Sequence, residues 1–297
     1  MSLTVFQGSL ELGIIYAIMA LGVFISFRTL NIPDLTVDGS FVLGAAVSAV
    51  MCTSNAPFTG LLLAFVAGCG AGCITALLHT KLKIQPLLAG ILTMLALYSI
   101  NLKVMHSKAN IPLINKATIF SSFEGALVND YAKMVIALGV LLVILVILFL
   151  FLKTKLGFAL RATGDNDQMV RALGVNTNFT ILMGLAVSNG LVALSGAIIA
   201  QYQSFADVSM GTGMVIIGLA SVIVGEVIFG TKTLFRRLIA VILGSILYRF
   251  VIAFALELGM PPTDLKLVSA VIVALALSMS TIKESFEFMK KRLGARS

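Results

Sequence analysis

Apolar residues run in long unbroken stretches, and polar residues gather between them. About 17 to 25 apolar residues span a bilayer as a helix. Runs that qualify occupy 8–27, 58–78, 84–100, 134–152, 177–200, 213–229, 238–256 and 265–282. A ninth, 41–54, reaches spanning length only by recruiting the polar stretch Leu35-Thr36-Val37-Asp38-Gly39-Ser40. The runs are continuous rather than alternating, which predicts helices and not a barrel. The expected fold is all-α, a polytopic transmembrane helical bundle of about nine spans forming a single domain over 1–297.

Composition supports lipid as the solvent. Apolar residues make up 59% of the 297 positions and charged residues only 11%, with a mean hydropathy of +1.06. A soluble domain carries roughly 25% charge. The net charge of +8 could suggest nucleic acid, but the basic residues lie in the gaps between apolar runs. That pattern is the retention of Lys and Arg on the cytoplasmic side of a membrane. With 153–176 and the C-terminus inside, fifteen basic residues fall inside, five outside (Lys103, Lys108, Lys116, Lys133 and Lys266), and Arg249 within a span. This bias predicts an outside N-terminus, nine crossings and a cytoplasmic C-terminus.

Other chemistry is sparse. Cys52, Cys69 and Cys73 all lie in apolar runs and read as packing residues, with no metal site or disulfide framework expected. The first run carries Glu11 and lacks a basic leader region, so it reads as a retained span. Gly225-Glu226-Val227-Ile228-Phe229-Gly230-Thr231-Lys232-Thr233 approaches a P-loop. Thr231 intervenes before the Lys, and no strand precedes it. No metalloprotease pair or nucleophile elbow is present, and no catalytic residue is assigned.

Two connecting segments are long, 101–133 on the outer side and 153–176 on the inner side. In the inner one, Gly164 is expected to break the preceding run. Asp165 or Asn166 can cap a new helix through Asp167, Gln168, Met169, Val170, Arg171, Ala172 and Leu173. Gly174 then ends it with a positive φ. Such a helix can rest on lipid headgroups or dock into a partner protein.

Polar groups inside the spans are functional candidates because burying them costs several kcal/mol unless they are paired or wet. Arg249 lies about 16 Å into its span from Leu238. Asp38, Glu226 or the surroundings of Tyr248 could partner it. A salt bridge, a substrate contact and a subunit contact are all open. Asp34, Thr36, Asp38 and Ser40 flank Pro33 and Gly39, which predicts a discontinuous second helix lining a cavity. An ordinary loop with two solvated acids is the alternative. Ser188 and Asn189, with Gly190, Ser195 and Gly196, read as helix-packing groups or as path lining. Gln201, Gln203 and Asp207 could meet a binding protein. The candidates for a translocation path are therefore Asp34, Thr36, Asp38, Ser40, Ser188, Asn189 and Arg249.

Leu160-Arg161-Ala162, Asp165-Asn166 and Arg171-Ala172-Leu173-Gly174-Val175-Asn176 resemble the cytoplasmic coupling segment of ABC importer permeases of the branched-chain amino acid/ribose class. These are the inner-membrane components of binding-protein-dependent transport systems. Ile32-Pro33-Asp34-Leu35-Thr36-Val37-Asp38-Gly39-Ser40 resembles one branch of that class, associated with small organic solutes such as aromatic amino acids. The resemblance covers nearly the whole chain. It implies a multi-pass protein of the bacterial cytoplasmic membrane, paired with a second copy of itself. ABC ATPase subunits would bind the ATP, so no cofactor is expected on this chain, and an extracytoplasmic solute-binding protein would deliver the solute. It assigns ATPase coupling to Arg161, Asp165, Asn166, Met169, Arg171, Leu173 and Gly174. An ion-coupled secondary transporter is the competing function, though Arg249 is the one charge placed securely deep.

Overall fold

The computed structural model describes residues 3–124, 132–261, 264, 265, 267–271, 274 and 278. The chain opens with α1 (Leu3–Val23), which widens into a π-helical turn (Phe24–Thr29). Then come α2 (Thr36–Thr53), α3 (Pro57–Thr80), α4 (Pro86–Val104), strand β1 (Asn110–Pro112) and the short α5 (Ile119–Glu124). α6 (Ala132–Lys153), α7 (Lys155–Asp165), α8 (Asp167–Ala172) and the long α9 (Thr177–Gln203) follow. Strand β2 (Phe205–Asp207), α10 (Met214–Phe229) and α11 (Leu234–Glu257) complete the described elements. The two strands pair antiparallel, Asn110 with Asp207, as a small ribbon capping one end of the helical bundle.

Among the described residues, seven helical segments are long and apolar enough to cross a membrane. The short run at 41–54 gains its length as expected, by extending back to Thr36. The run at 213–229 forms α10, which has 16 residues and is about 24 Å long at 1.5 Å per residue. The predicted run at 265–282 falls largely outside the described residues.

The helices divide by what covers them. The spanning windows of the first segment, α2 and α9 are 83%, 72% and 78% buried, whereas those of α3, α4 and α6 are 33%, 28% and 33% buried. The second group exposes Leu62, Val66, Leu95, Val143 and Ile147, which suits a lipid-facing ring. α9 is the central post, and small residues bring its neighbours into backbone contact. A Cβ on Gly44 of α2 would sit 1.8 Å from the Ala193 carbonyl oxygen, and one on Gly72 of α3 would sit 2.2 Å from that of Leu185. Lipid tails compete on equal terms with apolar side chains, so this close backbone approach is a principal source of helix association.

The expected break in the second helix lies elsewhere. α2 is continuous from Thr36, and the irregular backbone occupies 30–35, at the end of the first helix. The π turn passes the Leu30 amide to the Ile25 carbonyl and the Ile32 amide to that of Ser26. Asn31 then takes a left-handed φ of 55°. Pro33 lies inside this break, where its missing amide costs nothing. Gly39 serves as a contact point for α4, because a Cβ there would lie 2.9 Å from Leu97 Cδ1. Gly164 likewise does not break a helix. α7 runs through it to Asp165, and a Cβ at Gly164 would lie 1.9 Å from the Thr29 carbonyl oxygen.

Candidate functional site

Two short helices form one end of the bundle. Thr154 caps α7 by accepting from the Gly157 amide at 3.2 Å. Asn166, in an extended conformation at φ −160°, ends α7 and starts α8. Its Oδ1 accepts the Met169 amide at 3.0 Å, supplying the orphan donor of the first turn with a partner. Gly174, at φ 82°, ends the segment. The cap at Asn166 and the stop at Gly174 match the sequence reading, while the helix ends at Ala172, one residue before the expected Leu173.

Side-chain contacts fix this pair of helices to the bundle. Thr163 of α7 bonds Thr180 of α9 at 2.9 Å between hydroxyl oxygens. Arg171 donates from Nε to Thr177 Oγ1 at 2.6 Å and pairs with Asp167 at 3.3 Å. Val170 is 2% exposed and anchors α8, while Met169 and Leu173 are 51% and 73% exposed. Asp165, Asn166 and Gln168 are exposed beside them. Arg161, one helical turn before Asp165 on α7, rests its guanidinium 4.5 Å from the Phe158 ring centre.

Several path candidates meet in a closed buried network. Asp34 accepts the Thr36 amide at 2.9 Å and the Asn189 amide group at 2.7 Å. Ser40 donates to Asn189 Oδ1 at 2.7 Å. The Thr36 hydroxyl lies 2.7 Å from that of Thr75, which donates to Thr93 at 3.0 Å. Ser188 donates to the Gly22 carbonyl at 2.7 Å. Asp34, Thr36, Ser40, Ser188 and Asn189 have no solvent-exposed surface. Asp34, Thr36, Ser40 and Asn189 are linked by these bonds and, through Thr75 and Thr93, fasten the break after α1 to α2, α3, α4 and α9, while Ser188 separately ties α9 to α1.

Asp38 and Arg249 stand apart from this network. The Asp38 carboxylate accepts the Gly213 amide at 2.9 Å and the Val215 amide at 2.8 Å, capping α10 from a neighbouring helix. Charge at a helix start is favourable there. The Arg249 guanidinium lies 3.7 Å from the centre of the Tyr16 ring, and its Nε is buried without a hydrogen-bond partner. The acid proposed for it at Glu226 is taken, since Glu226 pairs with Arg28 at 2.6 Å. An aromatic face therefore stands where the sequence suggested a carboxylate.

Arg249 forms part of the wall of two cavities. One, of about 560 Å³, is also lined by Tyr16, Tyr248, Ser209, Thr212 and Met214. The other, of about 360 Å³, includes Ser9, Leu12 and Glu257. The larger lies within the range of small-molecule sites. It combines apolar walls, two phenol rings and one cation. The Tyr248 hydroxyl is held 2.5 Å from Ser269 Oγ.

Sequence reading missed the ion pair of Arg28 with Glu226 and the Tyr202 hydroxyl donating to Glu11 at 2.6 Å. Gln201 is not a surface residue. It is 2% exposed and bonds Ser48, the Pro57 carbonyl and the Ile119 amide. Asp207 sits on the ribbon, where hydrogen bonds from Ser209 hold its carboxyl below the usual carboxylate range.

Comparison with known proteins gives this geometry a context. Residues 6–278 match the family described as branched-chain amino acid transport system / permease component. The chain is 42% identical over 281 residues to the tyrosine transport system permease protein of Clostridioides difficile (strain R20291), covering 94% of this chain and 92% of that protein. It is 25% identical over 271 residues to the ribose import permease protein RbsC of Escherichia coli (strain K12), covering 90% and 83%. It is 23% identical over 232 residues to the probable branched-chain amino acid transport permease protein LivH of Methanocaldococcus jannaschii, covering 74% and 73%. No solved structure matches the chain. A multi-helix membrane bundle matched along nearly its whole length belongs with these proteins: the chain is a member of the branched-chain amino acid transport permease family, a non-catalytic membrane subunit of an ABC-type importer for a small organic solute.

Proposed function

We propose that the chain is the permease of an importer for an aromatic amino acid or a zwitterion of similar size, with the solute passing through the cavity beside Arg249. The observation that carries this reading is the Arg249 guanidinium, held over the Tyr16 ring and forming part of the cavity wall. A carboxylate entering the cavity would pair with this guanidinium, and a charge-assisted bond of this kind is among the strong ones. Tyr16, Tyr248 and Met214 offer the apolar and aromatic surface that a ring would contact. The tyrosine transport system named for the C. difficile relative is in keeping with this solute class, as is the Asp34-Leu35-Thr36-Val37-Asp38-Gly39 stretch.

Family membership implies cooperation with an ABC ATPase and a solute-binding protein. In the proposed assembly two copies of the chain stand side by side over two ATPase subunits, with nine crossings each and the N-terminus outside. α8 is the coupling element. The bond from Arg171 to Thr177 holds it against α9, and Met169 and Leu173 are its apolar contact with the ATPase.

Competition assays on uptake test the solute. Tyrosine and phenylalanine are expected to compete, and tyramine, which lacks the carboxylate, is not. Equal competition by tyramine would remove Arg249 from the recognition step.

A further inference from the structure

A second cationic cavity lies at the opposite end of the spans from the Arg249 cavities, where the π turn, α7 and the α10–α11 turn meet. It encloses about 430 Å³ and is lined by Arg28, Arg161, Lys232 and Arg237, with Asp165 the one carboxylate among its lining residues. Glu226 stands behind Arg28 and offsets it at 2.6 Å. Arg237 uses Nε on the Thr231 carbonyl at 3.0 Å. Arg161 rests on the Phe158 ring, and its Nε is buried without a partner. Counting Glu226 as well as Asp165, four cations face two carboxylates, so the cavity retains an excess positive charge that the chain does not itself neutralise.

We propose that this cavity binds the headgroup phosphate of an anionic phospholipid, one whose charge no ammonium group of the same headgroup offsets. Two features favour a lipid as the source. The cavity sits at the ends of membrane-spanning helices, where basic pockets meet headgroups. Phe158, which lines the cavity, exposes 58% of its surface, an apolar flank suited to an acyl chain. Arg161 and Arg237 present planar guanidinium forks, which match phosphate oxygens better than a point charge does. An occupied site would tie α7 to the α10–α11 turn through a ligand.

The test uses full-length protein purified in mild detergent. It is equilibrated with phosphatidylglycerol or phosphatidylcholine and examined by native mass spectrometry. Phosphatidylglycerol is expected to be retained and phosphatidylcholine lost. The double variant R161Q/R237Q should bind phosphatidylglycerol about 25-fold more weakly, at about fivefold per surface charge. The control K81Q/K83Q, which alters a basic pair outside the cavity, should bind like the parent. Equal retention of both lipids by the parent protein overturns the proposal, and this arm needs no variant to fold. So does an equal loss in the control, which would mark a diffuse surface effect. Displacement of the lipid by inorganic phosphate supports the site and assigns it to soluble phosphate as well. If R161Q/R237Q loses an ATPase partner while keeping phosphatidylglycerol, the cavity is a protein contact and the proposal fails.

Discussion

Arg249 and Tyr16 form a cation–ring pair, the guanidinium carbon 3.7 Å from the ring centre. Such a contact is worth about 2 kcal/mol when desolvated, enough to help hold a charge inside an apolar bundle. A ring face accepts no strong directed bond, so Arg249 keeps hydrogen-bonding capacity that a carboxylate partner would have taken. A structural arginine and a recognising arginine differ in this respect.

Replacing Arg249 by Met is expected to cut the initial uptake rate about 10- to 100-fold, the value of one hydrogen bond to a charged group. Lys at 249 keeps the charge but loses the planar fork and the stacking, so it should recover only part of the rate. Uptake normalised to membrane-inserted protein measures both. Full activity in Arg249→Met would mean that the residue serves packing alone.

Asp34 and Asn189 support the bundle from the inside, 155 positions apart in the chain. Asp34→Ala leaves the Thr36 amide and one Asn189 proton without acceptors. That should lower stability by about 1–3 kcal/mol. Asp167→Ala, which removes an exposed pair at 3.3 Å, should cost under about 1 kcal/mol. Thermal unfolding in detergent separates the two, and equal midpoints would show that the buried network contributes little.

Two glycines in helices should respond oppositely to alanine. At Gly164 the added Cβ would meet the Thr29 carbonyl oxygen at 1.9 Å, forcing α7 away from the π turn at a cost of about 1–3 kcal/mol. At Gly70 nothing lies within 4 Å, and better helix propensity should stabilise α3 by up to about 1 kcal/mol. A Gly164→Ala protein as stable as the parent would contradict this packing.

Met169 and Leu173 are exposed while Val170 is buried, so substitutions on one short helix should divide cleanly. Met169→Asp with Leu173→Asp should abolish association with the partner ATPase and leave membrane insertion unchanged. Val170→Asp should instead reduce the yield of folded protein. Pull-down at constant expression tells them apart. Undiminished ATPase capture by the Met169/Leu173 variant would place the contact on another surface.

How much the sequence showed follows from the range of the forces involved. Spans were legible because crossing lipid requires long apolar runs. α8 was legible because its start and stop are local, an Asn166 side chain and a positive φ at Gly174. α7 was not, since its glycine is retained for contact with Thr29, far away in the chain. The break after α1 was placed a few residues late for a related reason. Pro33 and Gly39 look alike as breakers, but only the first lies in broken helix, while the second makes room for Leu97. The pairs Arg28–Glu226 and Asp34–Asn189 were hidden because one polar residue in an apolar run does not say which distant residue it meets. Arg249 stood out as a site, but its partner did not, because an aromatic ring leaves no charge signature.

The most direct test is uptake of labelled tyrosine into proteoliposomes holding the chain, with and without its ATPase and solute-binding protein. Accumulation is predicted only with both partners present and ATP on the ATPase side, and it should persist when ion gradients are collapsed. Accumulation driven by a proton or sodium gradient without the ATPase would contradict the account and make the chain a secondary transporter.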